Sequence, residues 1–138
     1  MASFVLDASA ALPWCFRDEA SEPTNRLLKR LQKDDEALVP AHWTVEVGNA
    51  LLVAIRRKRI VREDVVRFLN DLAVLPIRVG PTEPAVVAAY TLPLAEKHGL
   101  SLYDAAYLQL ALSERLPLAT QDTQLVRAAK GEGVTLVL

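Results

Sequence analysis

One cysteine in 138 residues excludes an internal disulfide, and with only His42 and His98 beside Cys15 the chain lacks a Cys/His constellation of the kind that holds zinc. A dominant charge is missing too: sixteen Lys and Arg stand against seventeen Asp and Glu, leaving −1. Without a global basic field, any nucleic-acid partner has to be held by a local patch. No repeat, linker or low-complexity stretch interrupts the chain, and its charges are spread too evenly for a membrane span. The N-terminus has no basic leader-like region, and Asp7 breaks its apolar run ahead of Ala8-Ser9-Ala10, so the expected compartment is the cytoplasm.

What is present is a core-forming composition. Hydrophobic residues make up 51% and charged residues 24% of a length close to one ordinary domain, so residues 1–138 are expected to form a single domain. Short apolar runs at 3–6, 37–39, 76–79, 116–119 and 134–137 read as strands. Longer amphipathic stretches at 20–33, 41–59, 62–73, 83–98, 102–114 and 123–130 read as helices. Short buried strands alternating with helices predict an α/β fold whose mostly parallel central sheet is covered on both faces. In such sheets the ligand crevice lies beyond the carboxyl ends of the strands.

Four of the seventeen acids stand apart from the loops and polar helix faces that hold the rest. Asp7 follows the first strand directly, and Asp122 follows the strand ending at Ala119 after only Thr120 and Gln121. Glu46 lies in a helix among Trp43, Val45, Val47, Ala50 and Leu51, where a carboxylate costs desolvation unless compensated. Asp104 is nine residues from Ser113, about 900° at 100° per residue, and so half a turn from the polar stripe of Gln109 and Ser113. Four such acids repel one another at neutral pH unless cations neutralise them or their pKa values rise. An all-oxygen set suits a hard cation, Mg²⁺ or Mn²⁺.

Each acid also has a local reading. Asp7 can cap the next turn, Asp122 is a fitting N-cap, and Ser101-Leu102-Tyr103-Asp104 fits a capping box. Glu46 can pair with a distant arginine. Ser9 and Thr120 flank candidate acids and can orient them or a water. Asn49 can hold Glu46 or meet substrate, and His42 supports a helix start. The basic run from Arg56 to Arg62 reads as a solvated helix end favoured by the macrodipole, with phosphate binding as the competing role.

In this order, Asp7-Ala8-Ser9 after a strand, Trp43, Glu46 and Asn49 in a W-x-x-E-x-x-N helix, Leu102-Tyr103-Asp104-Ala105-Ala106-Tyr107, and Thr120-Gln121-Asp122 resemble the PIN domain. The short single-domain form resembles a VapC-type toxin. The resemblance implies a PIN-like three-layer α/β/α fold and a metal-dependent endoribonuclease. It also implies that Asp7, Glu46, Asp104 and Asp122 are the metal-binding acids, Mg²⁺ with Mn²⁺ as substitute is the cofactor, and Thr120 and Ser9 are accessory site residues. Cleavage would leave 5′-phosphate and 3′-hydroxyl ends. A homodimer and a VapB-like antitoxin are the implied partners, with no membrane. The stretch Thr123-Gln124-Leu125 offers no fifth acid. A structure-specific DNA nuclease or a non-catalytic, metal-binding receiver-like switch would share strand-end acids. The first has little chain left for DNA-holding elements, and the second lacks an acidic neighbour to Asp7 and a lysine after Thr120.

Overall fold

The computed structural model describes residues 2–138, and its frame follows from where the apolar runs can hide both faces. In β1 (Ser3–Leu6) the consecutive residues Phe4, Val5 and Leu6 are all fully buried, as are Ala37, Leu38 and Val39 of β2 (Glu36–Val39). Successive strand side chains point to opposite faces, so this burial needs cover on both sides. With β3 (Ile77–Val79) and β4 (Leu118–Ala119), these strands form one parallel sheet of order β3-β2-β1-β4.

Among the described residues, eight α-helical segments flank it: α1 (Ala8–Ala11), α2 (Glu22–Gln32), α3 (Trp43–Arg56), α4 (Arg62–Ala73), α5 (Pro84–Val86), α6 (Leu92–His98), α7 (Leu102–Glu114) and α8 (Thr123–Gly131). The predicted α/β class and the parallel sheet are what the chain adopts. No helix among the described residues is long and apolar enough to cross a membrane.

Three departures from the sequence reading have local causes. The helix predicted at 83–98 is two short α segments joined by a π turn over Val87–Thr91. Pro93 has no N–H to continue an α ladder, and the wider turn absorbs the missing donor. The helix predicted to reach residue 59 ends at Arg56. The backbone turns left-handed at Lys58 (φ 59°), and the Arg59 N–H reaches back to the Ala54 carbonyl at 2.9 Å, a Schellman closure without glycine. The predicted C-terminal strand at 134–137 pairs only around Leu118, whose N–H donates to the Thr135 carbonyl and whose carbonyl accepts from Val137 N–H. Its next donor would be Leu116 N–H, which instead closes α7 by bonding the Ala111 carbonyl at 3.0 Å. Pro117 then has no N–H to give β1, so β4 begins only at Leu118.

The sheet order sets where a site can form. From β1 the chain proceeds outward to β2 and β3, then returns to place β4 on the other side of β1. The crevice at that reversal lies beyond the carboxyl ends of β1 and β4, where residues 7 and 120–122 emerge.

Candidate metal centre

Asp7 leaves β1 with its N–H bonded to the Ala119 carbonyl at 3.0 Å, and the residue is 4% exposed. It holds the N-cap position of α1 without capping it. Its Oδ2 instead accepts from Ser9 Oγ and Thr120 Oγ1, each at 2.7 Å. Each hydroxyl has one proton and spends it on Asp7. In turn Ser9 Oγ accepts from Gln121 N–H at 2.8 Å, and Thr120 Oγ1 accepts from Asp122 N–H at 3.1 Å. The turn after β4 is thereby tied through two hydroxyls to a carboxylate 113 residues away from Thr120.

Glu46 sits on α3 at the margin of the buried face formed by Trp43, Val47 and Leu51. Its Oε2 accepts from the Tyr107 hydroxyl at 2.6 Å. Asn49, which the sequence offered as its holder, is exposed and makes no hydrogen bond to it, and no distant arginine reaches it. Tyr107 went unassigned in the sequence reading. The available signal was its spacing of three from Asp104, which puts both on one side of α7. His42 lies beside the pair, with Nε2 3.9 Å from Glu46 Oε2 and its ring edge-on to Tyr103 and Tyr107 at 5.3 and 5.4 Å. Nε2 is buried and has no hydrogen-bond partner among the described residues.

Asp104 is half-buried in the first turn of α7. Ser101 Oγ accepts from Asp104 N–H at 3.1 Å, so one half of the capping box exists, but the Asp104 carboxylate does not return a bond to the Ser101 backbone. Asp122 is a true N-cap: its Oδ1 accepts from Leu125 N–H at 3.0 Å.

The four acids feel one another. Burial pushes the Asp7 carboxyl up to about 6, with the Glu46 and Asp104 charges adding and the Ser9 and Thr120 hydroxyls opposing. Glu46 is raised by burial and by Asp104, against the pull of Tyr107. Asp104 is raised by burial and then by Asp122. Burial pushes His42 the other way, toward the neutral ring. Among the described residues, no three acid, His or Cys side chains are drawn in closely enough to hold an ion as they stand. Their donor chemistry still suits one. Asp7, Glu46 and Asp122 each commit one oxygen to a protein donor and leave the other, Oδ1, Oε1 and Oδ2, without a bond among the described residues.

A larger cleft of about 780 Å³, lined by Trp14, Cys15, Phe16, Arg59 and Phe68, contains none of these acids. Arg59 there bonds Asp18 and Glu19 and stacks 4.1 Å over the Phe16 ring, which withdraws it from the basic run as a phosphate ligand. Burial raises the Cys15 thiol, so it offers no ready thiolate.

Residues 4–131 match the PIN domain model. The chain is 34% identical over 125 residues to Ribonuclease VapC12 of Mycobacterium tuberculosis, covering 90% of each. The crystal structure of PAE2754 from Pyrobaculum aerophilum superposes with a TM-score of 0.72 at 27% identity, covering 94% of this chain and 88% of that one. VapBC2 from Rickettsia felis, solved bound to a DNA fragment from their promoter, shares the fold with a TM-score of 0.65 at 13% identity, covering 97% and 96%.

Proposed function

The chain belongs to the PIN-domain family, and from that membership we propose that it is a Mg²⁺- or Mn²⁺-dependent endoribonuclease, the toxin of a VapBC-type pair. The observation that carries the reading is the linked set of four acids from separate elements at the β1–β4 reversal, three of them raised by burial and by each other's charge. In this reading residues 1–138 act as one catalytic domain in the cytoplasm, a VapB-like antitoxin is the inhibitor, and the working form is a homodimer. The similarity to Ribonuclease VapC12 supports the nuclease and toxin assignments.

Asp7, Glu46, Asp104 and Asp122 would hold the cation. When bound, it supplies Lewis-acid charge that activates water and steadies the leaving 3′-oxygen of a phosphodiester. The protein supplies orientation. Ser9 and Thr120 fix the Asp7 carboxylate, Tyr107 fixes Glu46, and the first turn of α8 fixes Asp122. No side-chain nucleophile is required.

The deciding experiment is incubation of purified, antitoxin-free protein with a total RNA pool, with Mg²⁺, Mn²⁺ or EDTA, mapping the ends produced. Internal cleavage leaving 5′-phosphate and 3′-hydroxyl ends, abolished by EDTA and restored by either cation, is expected. Undiminished cleavage in EDTA sinks the metal mechanism.

Tyr107 is a positioning residue in this scheme. Tyr107→Phe keeps the buried ring and its edge contact with His42 but frees Glu46 Oε2. Mn²⁺ affinity measured by titration calorimetry should fall about 10- to 100-fold, as removal of an outer-shell partner does. An unchanged affinity with a lower melting temperature would assign Tyr107 to packing alone.

A further inference from the structure

A second hollow adjoins the acids, and nothing in the hydrolysis uses it. Its volume is about 210 Å³, below the range of pockets that take drug-sized molecules and so suited to one ring system rather than a peptide helix. Pro40 and Pro81, in the irregular segments just past β2 and β3, and the rings of His42 and Tyr103 give it largely apolar walls. Thr82 and Gln109 add a hydroxyl and a carboxamide. Two wall residues connect it to the candidate centre: His42 Nε2 is 3.9 Å from Glu46 Oε2, and Tyr103 directly precedes Asp104.

Tyr103 is 66% exposed although its ring meets His42 edge to face. An exposed aromatic ring on the lip of a small cavity is what an unstacked base stacks on, because every base presents a π-face. Gln109 and Thr82 can each both donate and accept, as base edges demand. The buried, unpartnered His42 Nε2 lies at the seam between the cavity and Glu46. A chain with a formal charge of −1 has no global basic field to draw a strand onto the acids, so a base contact beside them adds to what a local basic patch can hold.

We propose that this cavity is a base-binding subsite: one unstacked nucleobase of the RNA substrate stacks on the Tyr103 ring, with the His42 ring walling the cavity beside it, and is read on its edge by Gln109 and Thr82. It thereby selects the phosphodiester that reaches the acids. The assignment rests on the ribonuclease reading above and locates its base selectivity.

Short oligoribonucleotides carrying one abasic ribose, moved one position at a time, test it by fluorescence anisotropy in EDTA and by kcat/KM in Mg²⁺. Removing the base that fills the cavity should weaken the wild type about 5- to 150-fold, the range of one base–aromatic stack, and at one position only. In Tyr103→Ala that positional penalty should vanish, while Tyr103→Phe keeps it. Gln109→Leu should flatten the preference among the four bases at that position and leave Mn²⁺ affinity unchanged. If Tyr103→Ala does not fold, the abasic series on the wild type and Gln109→Leu decide. Cleavage without any position-specific abasic penalty, or with a penalty that survives in Tyr103→Ala, overturns the subsite and leaves the ribonuclease reading standing. No RNA binding and no cleavage by the wild type with either cation overturns that reading and the subsite with it.

Discussion

Replacing Asp7 with asparagine is expected to lower RNA cleavage by orders of magnitude and, at neutral pH in EDTA, to raise the melting temperature. The two effects have one cause. Asp7 is 4% exposed and its carboxyl sits at about 6 rather than 3.8, so the fold favours its neutral form while the proposed chemistry needs the charged one. Asparagine keeps an oxygen that can accept from Ser9 and Thr120 and removes the charge that burial, Glu46 and Asp104 disfavour. A folded pKa raised from 3.8 to about 6 corresponds to about 3 kcal/mol of stability withheld above pH 6. Folding takes up a proton in that interval. The stability difference between Asp7→Asn and wild type should therefore be near zero at pH 4, grow between about 4 and 6, and level off above. Burial lowers His42, which therefore costs stability as pH falls below its ordinary 6.5; the Asp7 charge opposes that lowering, so His42 cancels only in part and the comparison is read above pH 6.5 as well as below. Urea unfolding of the two proteins across pH 4–8 in EDTA measures this. A variant no more stable than wild type at pH 7.5, or one that cleaves at the wild-type rate, would leave Asp7 as a turn residue.

The second large effect is the response of the wild type to the cation. At about 100 times the dissociation constant, a ligand that binds only the folded state stabilises it by about 2.7 kcal/mol. The stabilisation should be full at pH 7.5 and shrink toward pH 5.5, because protons and metal compete for Asp7, whose carboxyl at about 6 brings that competition into this window. Asp18, Asp35 and Glu132 do not confuse the measurement. Hydrogen bonds from Arg59, Arg30 and Lys97 hold them below the ordinary carboxylate range, so they titrate at lower pH. Thermal melts with Mn²⁺ and with EDTA at both pH values decide the matter. A metal-induced shift that is absent, or equal at the two pH values, would exclude Asp7 as a ligand.

What the sequence determined by itself was everything carried by local pattern. Apolar runs too short for helices and ended by Asp7 and Pro40 place two strands, because a buried strand must satisfy its backbone in a ladder and stop where a polar or N–H-less residue intervenes. Arg62–Ala73 and Leu102–Glu114 have the ends their periodicity predicts. A carboxylate amid apolar helix positions, Glu46, is unusual enough as a residue type in that place to be picked out before any contact is known, whereas a strand-end acid such as Asp7 has a capping role open to it as well.

The tertiary structure decided what those residues touch. Asp7 meets Thr120 because β4 enters the sheet on the far side of β1, and Glu46 bonds Tyr107, 61 residues on, rather than Asn49 one turn away. Leu116 leaves the predicted strand because its N–H is needed at the end of α7, and Arg59 leaves the basic run because two carboxylates and a phenyl ring from the 16–19 segment reach it first. Periodicity reports which face of an element is buried but not which element covers it. Each of these partners was selected by long-range packing, in which one donor or one charge is claimed by whichever group the fold brings within about 3 Å.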